Sequence, residues 1–423
     1  MEKTVNERYQ ESYYSETLDN GLKVIIWEKP DYANTVCFFA TPFGAINLEV
    51  ENHGKKHRFN AGLAHFLEHL MFKGEDFGDV MVDFTKMACQ INAFTSYFET
   101  VYHFSTVAKD IKEPLNLLLD FVQKFKTNDD LVAGEKEIIF SEYKMDLQVP
   151  ERRLIMETYR ALYHNLPINE DIAGNEKSIF AITKEELMLA HQLSYHPANM
   201  VLAIVSPLSA HDIMEIVKAN QAAKDFIALG ELKNTCSREP VGVVKDYHEV
   251  KMELGQAKIG LAYKFNLPPL EKKALLRLDI IAAIWVYAYF TANNADYQQW
   301  LDDKLINYSF SAGINISDTA SFMFLGGDLI SENFVEYFDN YLRKLKEEVM
   351  SEEELEQLKN RYVGRSLCDL NSAEDIAVTT IRYGWWDTEL LESIDLIRGV
   401  QWEDFAQLLD LLDFEQKTVV KLL

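Results

Sequence analysis

The order of elements spelled out by the hydrophobic pattern in the first half of the chain is spelled out again in the second, and this recurrence restricts the fold most tightly. Leu18-Asp19-Asn20-Gly21-Leu22 sets an Asn-Gly turn before the β-rich run Lys23-Val24-Ile25-Ile26-Trp27, a strong short-range hairpin signal. Val36 to Ala40 follows as an apolar strand, Leu63 to about Phe72 as a buried helix, and 92–97 with 100–105 as paired strands. Two amphipathic helices come next, one with Leu115, Leu118 and Val122 on its apolar face and one running through Val132, Glu135 and Ile139. Met200 to Val205 reads as a closing core strand and His211 to Ala223 as a helix. After 250 the same series restarts: Ala257 to Tyr263, then Glu271 to Phe290, then Tyr308-Ser309-Phe310 with Ser321 to Leu325, and two long helices. The second of these opens with Ser351-Glu352-Glu353-Glu354, a capping-box pattern. The expected architecture is therefore α+β, two homologous domains in tandem, each an antiparallel sheet with helices packed on one face. Polar composition between 230 and 250 places the linker there, giving domains 1–229 and 251–423.

With 423 residues, 48% of them hydrophobic and 26% charged, the chain has the composition of a folded globular protein rather than a disordered one. Its 42 Lys plus Arg against 67 Asp plus Glu give a net charge of −25, the wrong sign for tracking nucleic-acid phosphates or an anionic membrane. The longest apolar run, Ile280 to Ala292, is 13 residues, short of the roughly 18 to 20 that span a bilayer. Cys37, Cys89, Cys236 and Cys368 have no metal-binding or disulfide spacing. The charged start Met1 to Arg8 is no secretory signal, so reduced thiols in a cytoplasmic protein are the expectation.

Chemistry concentrates in His65-Phe66-Leu67-Glu68-His69. On a helix His65 and His69 lie one turn apart on one face, and Glu68 points to the same side. Two neutral imidazoles and a carboxylate able to take a proton from a metal-bound water suit a catalytic zinc ion. The flanking residues are apolar, and a buried helix with three polar groups on one face must pair them or coordinate something. A third ligand has to come from elsewhere. Glu135 and Glu142, seven apart and thus on one stripe of their helix, are the candidates, one to bind and the other to support.

His65-Phe66-Leu67-Glu68-His69 followed by Leu70-Met71-Phe72-Lys73-Gly74 resembles the inverted zinc motif of the pitrilysin/insulysin metallopeptidases. The likeness extends in order through Leu18 to Leu22, Asn92-Ala93-Phe94-Thr95 and Glu135 to Glu142, and is strongest to small two-domain bacterial members. It implies that His65, His69 and Glu142 bind one Zn2+ per chain, that Glu68 is the general base, and that Glu135 supports the site. It further implies that Asn92 and Ala93 lie on an edge strand where an extended peptide substrate adds as another strand, and that the two domains face each other as half-shells. The equivalent helix of the second half has no such motif. The family's substrate-facing Tyr is matched by Tyr308, but Leu301 stands where an Arg is usual seven residues earlier. The expected activity is zinc-dependent hydrolysis of short unfolded peptides. The missing Arg raises the alternative of a subunit or scaffold that needs a paralogous partner lacking the zinc motif, with a homodimer as the other pairing.

Overall fold

The computed structural model describes residues 1–423 apart from 228, 230, 231, 236, 237 and 349. Cys236 and the first residue of the expected linker, Gly230, therefore lie outside the described residues. The chain forms two compact units, Met1–Tyr143 with Glu170–Cys236 and Cys368–Trp385, and Lys144–Asn169 with Ser237–Leu367 and Trp386–Leu423. Of the five passages between them, the third, after residue 236, falls within the expected linker. Each unit nevertheless takes in a segment from the other half, which a single cut at 230–250 does not contain.

In chain order the elements begin β1 (Glu2–Asn6), β2 (Glu11–Thr17), β3 (Lys23–Glu28), β4 (Thr35–Thr41), β5 (Glu49–Asn52), β6 (Lys55–Arg58), α1 (Leu63–Met71), α2 (Val80–Lys86), β7 (Cys89–Thr95) and β8 (Thr100–Thr106). There follow α3 (Lys112–Gln123), α4 (Asp129–Asp146), α5 (Pro150–Leu162), α6 (Glu176–Ala181), α7 (Lys184–Ser194), β9 (Val201–Ser206), α8 (Ala210–Ala222), β10 (Leu232–Asn234) and β11 (Tyr247–Val250). The remainder is β12 (Lys258–Phe265), α9 (Lys272–Tyr289), α10 (Tyr297–Asp302), β13 (Ser311–Asn315), β14 (Ser321–Asp328), α11 (Phe334–Leu345), α12 (Glu352–Asp369), α13 (Ala373–Trp385), α14 (Leu390–Arg398), α15 (Trp402–Leu411) and β15 (Lys417–Leu422).

In the first unit the described strands order as β1-β2-β3-β9-β4-β8-β7. All pairs are antiparallel except β3 with β9. The expected Asn-Gly turn joins β2 to β3, with the Gly21 N–H donating to Leu18 O at 2.8 Å. The Met200 to Val205 run does not close the sheet; as β9 it sits in the middle, buried along its whole length. An unbroken apolar run is what a strand covered on both faces requires. On one face the side chains of Val24, Ile26, Cys37, Phe39, Tyr102 and Phe104 join Phe66, Leu67 and Leu70 of α1 and Leu115, Leu118 and Phe121 of α3 in one core. Alternation turns Trp27 and Phe38 to the opposite face, where α13 packs on β4 and β9 and the Trp27 indole donates to Thr380 Oγ1 at 3.1 Å. The polar stretch 51–58, without apolar alternation, still forms the β5–β6 hairpin, with His53 and Gly54 at φ of +50° and +76° in its turn.

Among the described residues the second unit carries β11-β15-β12-β14-β13, parallel only between β11 and β15. α9 packs against β13, and α5 against β12 and β15. Strand, helix, strand pair and two helices thus occur in both units, the repeat expected from the pattern. Ser351 and Glu354 form the reciprocal bonds of a capping box ahead of α12. Tyr308 to Phe310, expected in a strand, forms a turn instead, because Asn307 Oδ1 accepts from both the N–H and the hydroxyl of Ser309 at 2.9 and 2.6 Å. Among the described residues no helix is long and apolar enough to cross a membrane.

Candidate functional site

Helix α1 places its motif by burying its apolar stripe. Leu63, Ala64, Phe66, Leu67, Leu70 and Met71 are all in the core, leaving His65 and His69 half-buried on the remaining face. Their rings lie 4.6 Å apart, centroid to centroid. Helix α4 crosses beside them and brings Glu142 to both: Oε1 is 3.7 Å from His65 Nε2, and Oε2 is 3.4 Å from His69 Nε2. One donor atom from each of the three residues falls within 4.8 Å of the others. A tetrahedral ion about 2.1 Å from its donors sets neighbouring donors about 3.4 Å apart, so the two imidazoles and the carboxylate are donors of the right kind for zinc, at a spacing that extends to within 4.8 Å.

Glu135, two turns back along the same stripe of α4, is 3% exposed and does not join the cluster directly. Its Oε1 lies 2.9 Å from His69 Nδ1 and its Oε2 2.8 Å from Lys73 Nζ. Burial pushes the Glu135 carboxyl up, but the bonds from His69 and Lys73 outweigh it and leave it below the usual range. An ionised carboxylate only accepts, so His69 Nδ1 donates to Glu135, and Nε2 is the ring nitrogen directed at Glu142. With no ion between the carboxylates, burial would lower the His69 pKa, yet the hydrogen bonds to Glu135 and Glu142 raise it to about 9. The surroundings favour a positive charge at that point.

Glu68 is 9% exposed and accepts a 2.6 Å bond from Thr95 Oγ1 at the end of β7. Burial pushes its carboxyl above the ordinary range, against the opposing effects of the Thr95 hydroxyl and His69. A carboxylate so raised is a better proton acceptor than an exposed one. Asn92 and Ala93 lie on the same strand, opposite His103 and Tyr102 of β8. Since β7 ends the order of described strands, its other backbone edge faces no strand there. Tyr308 belongs to the second unit, where it is 89% exposed before β13. Leu301 lies on α10.

Sequence reasoning did not single out Lys73 or Thr95 for a role, although both stand inside quoted motifs. Nor did it find Asp279 on α9, whose carboxylate accepts from the Ile316 N–H at 2.9 Å just beyond β13. Asp279 bears on the end of β13 as Glu68 bears on the end of β7. At its −3 and +1 positions, where the first unit has His65 and His69, stand Leu276 and Ile280, 3% and 6% exposed. The second unit keeps the carboxylate and fills the imidazole positions with core.

Residues 54–176 match the family model described as insulinase (peptidase family M16), and residues 181–362 match that of the peptidase M16 inactive domain. The uncharacterized zinc protease YmfH of Bacillus subtilis (strain 168) is 31% identical over 401 residues, 94% of this chain and 93% of its own. Among solved structures, an M16-like peptidase from Alicyclobacillus acidocaldarius superposes with TM-score 0.92 at 29% identity, covering 97% of this chain and 98% of its own. A protease from Helicobacter pylori shares the fold at TM-score 0.81 and 18% identity, covering 97% of this chain and 99% of its own.

Proposed function

The chain belongs to the insulinase family, peptidase family M16, and on that footing we propose that it is a zinc-dependent endopeptidase in which Glu68 is the general base. The convergence of His65, His69 and Glu142 within 4.8 Å, with Glu68 one residue before His69, carries this reading. Those three residues hold the ion, and Glu135 fixes the His69 tautomer and ring plane. Zinc at that point supplies a Lewis acid that polarises a peptide carbonyl and lowers the pKa of water. Glu68 accepts the proton of the attacking water and returns it to the leaving amine. The free edge of β7, with Asn92 and Ala93, takes an extended peptide as an added strand and aligns its backbone before Glu68. Short unfolded peptides satisfy that geometry, and folded proteins do not offer the free strand it needs. The cytoplasm is the proposed location.

A second reading makes the chain a subunit that hydrolyses peptides only beside a paralogous partner, and Leu301 in place of a cation is what favours it. Hydrolysis of a mixed quenched-peptide library by the purified chain, with zinc content measured, separates the two. The first reading expects about one zinc per chain in both wild type and Glu68→Gln, with the variant slower by ~10²- to 10⁴-fold. Zinc bound without cleavage supports the second, and absence of zinc after reconstitution removes both.

A further inference from the structure

Glu99 is 3% exposed, in the turn between β7 and β8. The backbone of that turn is already satisfied without its side chain. Ser96 N–H donates to Glu99 O at 2.8 Å, Ser96 Oγ accepts from the N–H groups of Phe98 and Glu99 at 3.1 Å each, and Ala45 and Ile46 donate to Ser96 O and Tyr97 O at 3.0 Å. A Cβ on Gly44 would come within 2.6 Å of the Tyr97 carbonyl carbon, so the turn rests directly on that backbone. The Glu99 carboxylate looks elsewhere. Its Oε1 accepts from Arg382 Nε at 2.8 Å and its Oε2 from Trp385 Nε1 at 3.1 Å, both donors on α13. A buried carboxylate must be paired to be tolerated; the Arg382 side chain, itself 55% exposed, and the Trp385 indole supply that pairing.

The two threonines that bracket this turn lead to Glu68. Thr95 Oγ1 donates to Glu68 Oε2 at 2.6 Å and lies 3.4 Å from Thr100 Oγ1, whose hydroxyl donates to Phe43 O at 2.8 Å. The turn is thus held by Gly44 to Ile46 on one side and α13 on the other, with the hydroxyl that orients Glu68 at its root. We propose that Glu99, Arg382 and Trp385 are positioning residues for hydrolysis: α13 latches the β7–β8 turn through Glu99, and the latched turn keeps the Thr95 hydroxyl on Glu68. This rests on the reading of Glu68 as the base.

The test compares Glu99→Gln, Arg382→Gln, their double variant, Arg382→Lys and Trp385→Phe by kcat and KM on one quenched peptide, zinc content and thermal midpoint, with Glu68→Gln alongside. Glu99→Gln and Arg382→Gln are expected to lower kcat ~10- to 100-fold, since small misplacement of a reacting group has that size of effect. KM stays within about twofold and zinc near one per chain, as befits an effect on orientation rather than binding. The double variant is no worse than the poorer single one, because both break one interaction, and Arg382→Lys recovers part of the loss. Trp385→Phe keeps an aromatic ring at that place and loses the indole donor, so it remains folded and shows a smaller fall in kcat if the other variants prove unstable. Wild-type kcat in folded Glu99→Gln or Trp385→Phe, additive losses, or loss of zinc overturns the latch. If Glu68→Gln is inactive while the latch variants are not impaired, only the latch falls; if Glu68→Gln hydrolyses normally, the base assignment itself falls.

Discussion

Glu135 meets the candidate ligand His69 from behind, at Nδ1, and is itself held by Lys73. Because Glu135 is almost fully buried and its two oxygens meet His69 and Lys73, Glu135→Gln loses the strong acceptor that fixes the ring. Zinc affinity in that variant, measured by competition with a chelating dye, is expected to drop ~10- to 100-fold, the usual effect of removing such a partner. Unchanged affinity would deny Glu135 its supporting role. In the second unit, burial pushes the Asp279 carboxyl up to about 6 from an ordinary 3.8, despite the opposing bond from Ile316 N–H. The folded state therefore holds a proton that the unfolded chain has released between those values, so the stabilisation is full below about 3.8 and is lost as pH rises through about 6. Asp279→Asn keeps an acceptor for Ile316 and carries no charge. It is expected to be more stable than wild type at pH 7, by on the order of 2 kcal/mol, and no more stable at pH 4, as denaturant titrations at the two pH values would show. Equal stability at pH 7 would mean that the carboxylate is well solvated.

Helix α1 enters from Gly62 at φ +90°, and a Cβ there would stand 2.4 Å from Ala173 O. Gly62→Ala meets both a backbone conformation that L-residues avoid and a carbonyl that cannot swing away. A loss on the order of 2 kcal/mol in chemical unfolding is expected, together with weaker zinc binding, because the start of α1 carries His65. An alanine variant as stable as wild type would show that residues 61–62 can shift without moving the helix. This strain was not legible in the sequence, whereas much else at the scale of elements was. The Asn20-Gly21 turn, the α1 motif, the stripe on α4 that carries both Glu135 and Glu142, and the Ser351 box are all local, set by residues within a few turns of one another. What escaped depends on distant partners. An apolar run at 200–205 announces burial but not which strands lie beside it, so the central place of β9, parallel to β3, could not be read. Thr95 and Asp279 are ordinary residues until the strand end each one meets is known.

The two units share the chain unevenly, each completed by a helix from the other's half: α13 in the first, α5 in the second. A fragment ending at residue 236 therefore lacks the cover over Trp27, Phe38 and β9, all buried in the whole chain. That fragment is expected to bind a hydrophobic dye strongly and to unfold without a cooperative transition, and a peptide of residues 368–385 added in trans to reduce the dye signal. A fragment that melts cooperatively without the peptide would show that α13 is an accessory. The threading also has a bearing on how the protein is made. Domains ordinarily fold from the N-terminus onward as they leave the ribosome, but Glu99 meets Arg382 only after 283 further residues have been added. The β7–β8 turn therefore emerges unlatched and waits through most of translation, so the Glu99 carboxylate finds its α13 donors only near the end of synthesis.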